Sequence, residues 1–350
     1  MTHVHPPIFD GHNDLLSHIY EKGADPVATF REGSKGHIDL PRAAKGGFGG
    51  GFFAVWLPSP LDLEGIVEEM LQPEYDLPMP EPLQHDYALR VATEQVAILH
   101  RLEATGDLQI CTSVDQIEAC LRGGPMAAIL HFEGAEAIDP DFAALDVFYR
   151  AGLRSLGPVW SRNTRWAEGV PFRFPSTPDT GGGLTEDGKR LVQACNRMGI
   201  MLDVSHLNEA GFWDLARLTD APIVATHSNV HALCANARNL TDRQLDAIAE
   251  SDGMVGLNFA TAFLRADGQM LPEAPISLMI EHLDYLIERL GEDRVGFGSD
   301  FDGAVVPEAI GDIAGLPALR EAMAAHGFGA ELIERICWRN WMRVLRQTWK

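Results

Sequence analysis

The sequence predicts a (β/α)8 barrel, an α/β fold of the TIM type. Three observations carry this. Apolar runs of strand length alternate with helical periodicities along the whole chain, which calls for a parallel sheet. Eight such runs occur, the number that closes a barrel. His, Asp or Glu residues recur at the carboxyl ends of these runs, the face on which a barrel gathers its loops. An open doubly wound sheet is the alternative. Against it, the first strand is not followed by the glycine-rich phosphate turn of a dinucleotide site.

The elements follow in order. Apolar Ile8 and Phe9 open a short buried strand over 8–13. The second strand is expected over 48–57, with Phe52, Phe53, Val55 and Trp56, and the glycines at 46–51 before it read as close backbone packing. Residues 61–86 carry eight acids, four prolines and no Lys or Arg. They suggest an acidic surface insertion at about 58–86. Apolar Val91, Val96, Ile98, Leu99 and Leu102 repeat at helical spacing and predict a helix over 87–105. Ser113-x-x-Gln116 is a capping box for a short helix to about 121. The third strand is 126–133, and Asp139-Pro140 reads as the cap and first position of the next helix. The fourth strand is 153–160. Gly, Pro, Ser and Thr dominate 169–188, which predicts a long mobile loop at the working face. A helix over 189–198 leads to a fifth strand at 200–205, and Asn208 caps a helix to 218. The sixth strand is 222–226, followed by a capping box at Thr241-x-x-Gln244 and a helix to 250. A seventh strand at 254–259, a helix at 276–290, an eighth strand at 294–299 and helices near 317–325 and 330–346 complete one domain over 1–350.

Composition removes several function classes. The formal net charge is −22, from 50 acids against 28 bases, and such a surface repels nucleic-acid and anionic-membrane phosphates. No apolar run is long enough to span a bilayer, and no basic region followed by an apolar run marks a signal peptide. The five cysteines, Cys111, Cys120, Cys195, Cys234 and Cys337, are odd in number and widely spaced. They read as reduced, buried thiols of a cytoplasmic protein, neither a disulfide framework nor a zinc ribbon.

Chemistry collects at the strand ends. His12 and Asp14 are two residues apart at the end of the first strand, so they share a face. Glu133 ends the third strand, His206 follows the fifth, His227 follows the sixth and Asp300 follows the eighth. Three imidazoles and three carboxylates exceed what one tetrahedral zinc with an open position needs. They suit two metals about 3.5–4 Å apart that share a bridging carboxylate and a hydroxide. Any one such histidine is more often a hydrogen-bonded core residue. The recurrence on five strands is harder to explain that way, because unpaired buried carboxylates are costly. Several other residues have plainer readings. His131 shares a strand face with Glu133 and forms a polar layer beneath the centre. Asp302 is the rival of Asp300. Asp203 is structural, His231 sits behind the centre, and His3 and His5 are solvated.

The motifs then resemble a known family over nearly the whole chain. They are Asp10-Gly11-His12-Asn13-Asp14, Gly36-His37-Ile38-Asp39-Leu40-Pro41-Arg42, Glu133-Gly134, Asp203-Val204-Ser205-His206, Thr226-His227-Ser228, Arg238-Asn239, Gly298-Ser299-Asp300-Phe301-Asp302-Gly303 and Asn340-Trp341-Met342-Arg343-Val344-Leu345. In this order they are similar to the membrane (renal) dipeptidases and their bacterial relatives, peptidase family M19 of the amidohydrolase superfamily. The resemblance implies a zinc-dependent dipeptidase with two Zn2+ per chain. His12 and Asp14 would hold one zinc, His206 and His227 the other, with Glu133 between them. Asp300 would be the catalytic acid/base, and Arg238 would receive the terminal carboxylate of a dipeptide. Tolerance of a D-residue on the carboxyl side and a homodimer are further implications. One departure is visible: Trp160 stands where renal-type members have a histidine near the scissile carbonyl. Tryptophan can stack but cannot titrate, so substrate preference is open at that position. Arg162 or Arg165 is a candidate replacement charge, with a structural role as its alternative. Hydrolysis of an N-acyl amino acid or a lactone on the same site, or noncatalytic metal binding, are the competing readings.

Overall fold

The computed structural model describes residues 5–59 and 63–350, with the side chains of 63 and 64 left aside. His3 and part of the expected insertion, 60–62, lie outside the described residues. Eight parallel strands form the barrel: β1 (Ile8–Asn13), β2 (Phe48–Trp56), β3 (Met126–Glu133), β4 (Leu153–Gly157), β5 (Met201–Leu202), β6 (Val224–Ala225), β7 (Met254–Leu257) and β8 (Val295–Phe297). Their order in space is β5-β4-β3-β2-β1-β8-β7-β6. The two ends meet where the Val204 N–H donates to the Val224 carbonyl, 2.9 Å away. The expected barrel is therefore the observed one, and the open-sheet alternative falls.

The strands run shorter than the apolar runs that announce them. β5 and β6 keep two residues each, because the chain turns into loops as soon as it reaches the working face. A short strand, Leu108–Ile110, pairs with β3 outside the barrel circuit and was not foreseen. Leu15–Lys22, Pro26–Glu32 and Leu40–Gly46, between β1 and β2, are helices that no clear periodicity announced. Both capping boxes form, at Ser113 and at Thr241. Asp139 caps as expected, but its helix is Ala143–Arg150: the carboxylate accepts from the Ala144 N–H at 2.7 Å, and Phe142 at φ 65 intervenes. The helix expected over 330–346 is divided by a wider turn at Arg335–Arg339.

The barrel is plugged from below by the carboxyl-terminal helix Asn340–Thr348. Its Trp341 indole N–H donates to the Phe297 carbonyl at 3.1 Å, among Phe9, Phe52, Ile129 and Met254. Gly11 and Gly296 make room for this ring: a Cβ would lie 2.4 Å and 2.8 Å from Trp341 atoms. The core below is thus filled by side chains, and polar groups are left for the opposite end.

That end carries a roof. The helix Leu63–Glu69 after β2 is followed by a strand, Tyr75–Asp76, which pairs antiparallel with Arg173–Phe174. The segment 169–188 is therefore not irregular throughout. It contributes that strand, the Val170 N–H donates to the His206 carbonyl at 2.8 Å, and its last residues begin the helix Glu186–Met198. Met70, Tyr75, Phe174, Phe263 and Met270 form an apolar cluster separate from the barrel core. Among the described residues no helix is long and apolar enough to cross a membrane. All five cysteines are buried and unpaired.

Candidate metal centre

The strand ends bring all six predicted side chains together. Glu133 is the hub. Its Oε1 lies 3.0 Å from His206 Nε2, 3.3 Å from His227 Nε2 and 3.8 Å from His12 Nε2. Asp14 Oδ2 is 3.3 Å from His12 Nε2. His12, Glu133 and His227 form one close donor group, and His12, Asp14 and Asp300 form another. Asp14 is already off the strand, as the residue that starts the helix Leu15–Lys22. The pairing of His12 with Asp14 therefore arises at a strand–helix junction.

Two residues reach the site through unusual backbone. His206 and Asp300 adopt positive φ, 66° and 60°, a conformation that costs a non-glycine residue on the order of 1–3 kcal/mol. Each turns its side chain back over the barrel mouth just past a strand. Gly303 lies against the carboxylates: a Cβ there would be 2.3 Å from Asp14 Oδ2 and 2.6 Å from Asp300 Oδ1. Only glycine leaves that space free.

A surrounding layer orients the ligand-type groups. The Thr226 hydroxyl donates to Asp203 Oδ2 at 2.6 Å, which uses its only proton. Toward His227 Nδ1, 2.8 Å away, it must therefore accept. The His227 proton is then on Nδ1, and the Nε2 lone pair faces Glu133. Asp203 also accepts from the Ser205 and Thr226 N–H groups, both at 2.9 Å, in the structural role expected of it. Ser161 Oγ lies 2.8 Å from His206 Nδ1. The Asn258 amide donates to Asp300 Oδ2 at 2.9 Å. Ser161 and Asn258 were not singled out from the sequence. The available signal was position: Ser161 follows Trp160, and Asn258 is the first residue beyond β7.

The electrostatics show strain without a cation. Burial pushes the Glu133 and Asp300 carboxyls above the usual range. Burial also holds His206 and His227 well below the usual imidazole range. For His12 burial acts downward too, but Glu133 and Asp14 outweigh it and lift the group to about 10. His206 Nε2 and His227 Nε2 are only 3.2 Å apart. Both ring nitrogens of His12 are buried without a hydrogen-bond partner. Lone pairs turned toward one another, an unpartnered imidazole and crowded carboxylates are what divalent cations would neutralise, so the donor set fits a metal centre.

The remaining expectations divide. His131 is buried beneath the centre, its Nδ1 2.9 Å from Ser155 Oγ, and burial lowers it to about 3. The Asp302 carboxylate is taken up by the His37 backbone N–H, which donates to its Oδ1, and the Asp302 N–H donates in return to His37 Nδ1 at 2.8 Å. Asp300 is the carboxylate that groups with His12 and Asp14. His231 donates to the Ser176 carbonyl at 2.8 Å and holds the 169–188 segment. His5 is exposed. Neither arginine replaces a charge at the site. Arg162 is buried on Glu136 Oε1, with contacts at 2.9 and 2.7 Å, and Arg165 is half-exposed near Asp187, 3.7 Å away. Trp160 lines the cavity with its ring 5.9 Å from that of His206. Arg238 is buried, donates to the His227 carbonyl at 3.1 Å and keeps an unpartnered Nε. Burial lowers its guanidinium to about 10, with Asp300 and Glu133 pulling the other way.

Comparison with known proteins shows what the chain is similar to. A family model described as membrane dipeptidase (peptidase family M19) matches residues 2–350. A crystal structure of a metallopeptidase from Rhodobacter sphaeroides, liganded with a phosphinate mimic of the dipeptide L-Ala-D-Ala, is 51% identical. It superposes with a TM-score of 0.96, over 98% of this chain and 99% of that one. An uncharacterized protein in the pqqA 5′ region of Klebsiella pneumoniae is 47% identical over 259 residues, which is 73% of this chain and 96% of the relative. The dipeptidase tcpJ of Claviceps purpurea is 26% identical over 345 residues, 97% of this chain and 76% of the relative.

Proposed function

Because the chain belongs to the membrane dipeptidase family, peptidase family M19, we propose that it is a binuclear metallodipeptidase that cleaves the peptide bond of dipeptides. The observation that carries this reading is the convergence of three imidazole Nε2 atoms on one oxygen of Glu133, with Asp14 and Asp300 alongside. His12 and Asp14 would hold one cation, His206 and His227 the other, and Glu133 would serve both. Zinc suits a mixed imidazole and carboxylate donor set. Bound there, the cations would acidify a water and polarise the scissile carbonyl.

The chain supplies the rest of the reaction. Asp300 takes the proton of the attacking water and delivers it to the leaving amine. Asn258 holds its Oδ2, which leaves Oδ1 for this work. Arg238 receives the substrate's terminal carboxylate, for which a guanidinium fork is suited, and so sets the register of a short substrate. The roof confines the site to small peptides. Trp160 closes the wall beside His206 and shapes the space near the scissile bond. The dipeptide mimic held by the Rhodobacter sphaeroides relative supports acceptance of a D-residue on the carboxyl side.

The test is the initial rate of the zinc-loaded protein on matched L-Ala-L-Ala and L-Ala-D-Ala, with a chelated control. Chelator-sensitive cleavage is expected. Absence of cleavage of every dipeptide, with two metals still bound, would move the activity to another amide, ester or lactone.

A further inference from the structure

The cavity beside Glu133, His206 and Asp300 holds about 310 Å³, the scale of a small ligand. Its walls differ in kind. Asp14, Glu21 and Asp302 stand on the β1 and β8 side. The apolar part of the lining is Ile66, Val67, Met70, Phe172, Phe263 and Met270. The apolar wall is assembled from three distant stretches that are fastened to one another. The Met270 N–H donates to the Met70 carbonyl at 2.9 Å, and the Gln269 side chain donates to the Leu71 carbonyl at 2.6 Å. The Tyr75 hydroxyl donates to the Gly268 carbonyl at 2.8 Å. Phe172 and Phe263 stack at 6.3 Å with their planes 16° apart.

The wall also has a fixed relation to Arg238, whose guanidinium carbon lies 5.4 Å from the centre of the Phe263 ring. On the proposed function, that guanidinium holds the terminal carboxylate. The side chain borne by the same Cα must then lie near Phe263. With Arg238 committed to the terminal carboxylate, no other Lys or Arg among the described residues is found in the cavity lining. A second carboxylate would find no further counter-charge there, would share the cavity with Glu21 and Asp302, and would lose its hydration against apolar carbon. An apolar side chain would gain from the same contact.

We propose that this wall is the specificity subsite for the carboxyl-side residue, selecting a branched or unbranched apolar side chain over glycine and over acidic residues. This rests on the dipeptidase reading and on Arg238 as the carboxylate receptor. The test is kcat/KM of the zinc-loaded protein on L-Ala-Xaa, with Xaa as Gly, Ala, Leu and Asp, each chiral residue in both configurations. Leu is expected to exceed Gly by at least about tenfold, in line with the discrimination hydrophobic pockets achieve per methylene, and Asp to fall below Gly. Ile66→Asn and Val67→Asn should each narrow the Leu/Gly ratio severalfold, with metal content measured alongside. A flat series in the unaltered protein, or a preference for Asp, would overturn the inference. So would an unchanged ratio in both variants with metals retained. A preference that appears only in the reversed series, L-Xaa-L-Ala, would place the subsite on the amino side and refute the assignment. Cleavage of dipeptides without selectivity would sink this inference alone, whereas no cleavage of any dipeptide would sink the dipeptidase reading and the inference with it.

Discussion

At the floor of the cavity, side chains are held by other side chains. Asp203 fixes Thr226, Thr226 fixes His227, Ser161 meets His206, and Asn258 holds Asp300. At the roof, the connections are mostly to backbone carbonyls, and the surfaces turned toward the cavity are apolar. The floor can therefore place charges and lone pairs precisely enough for chemistry, since each group is oriented by a directional bond. The roof can set the size and polarity of what fits without taking part in the reaction. If this division is right, damage to the floor should appear in metal binding and turnover, and damage to the roof in selectivity and stability.

Three substitutions probe that division. The largest effect is expected from Asp300→Asn, which keeps the shape and removes the carboxylate proposed as the base. Turnover should fall by about 10²–10⁴-fold, the usual worth of a positioned acid/base, while elemental analysis still finds both metals. Loss of a stoichiometric metal would instead make Asp300 chiefly a ligand. Ser161→Ala comes next. It removes the hydroxyl at His206 Nδ1 and should weaken metal affinity by about 10–100-fold, as measured by competition with a chromophoric chelator. An unchanged affinity would show that His206 is oriented by packing alone. The smallest effect belongs to the roof: Tyr75→Phe breaks the bond to the Gly268 carbonyl and should cost about 1 kcal/mol in denaturant unfolding, with metal content intact. If metal were lost in that variant, the two regions would not be separable.

Much of this was legible in advance. The eight strands announced themselves by apolar runs, and β1, β3 and the helix Ile276–Leu290 fall where the patterning puts them. The six residues proposed for the metal centre could be picked out because strand ends converge in a barrel whatever the loops do. Other features were hidden. Asp302 and Asp300 are equivalent in spacing, and only the tertiary contact of the Asp302 carboxylate with the His37 backbone N–H separates their roles. Arg162 carries a charge two residues from Trp160, yet its partner Glu136 is supplied by another loop. Of the helices between β1 and β2, Pro26–Glu32 and Leu40–Gly46 lack a clean apolar period, because they are short and are held by caps at Asp25 and Asp39.

The sequence by itself determined the barrel and which His, Asp and Glu residues stand at its strand ends, since periodicity and strand-end position are local properties of the chain. The tertiary structure alone decided the roof, the pairing of Tyr75 with Phe174 and of Met70 with Met270, and the orientation of His227 by Thr226 and Asp203. These depend on contacts between stretches separated by many residues, where no local pattern records the partner.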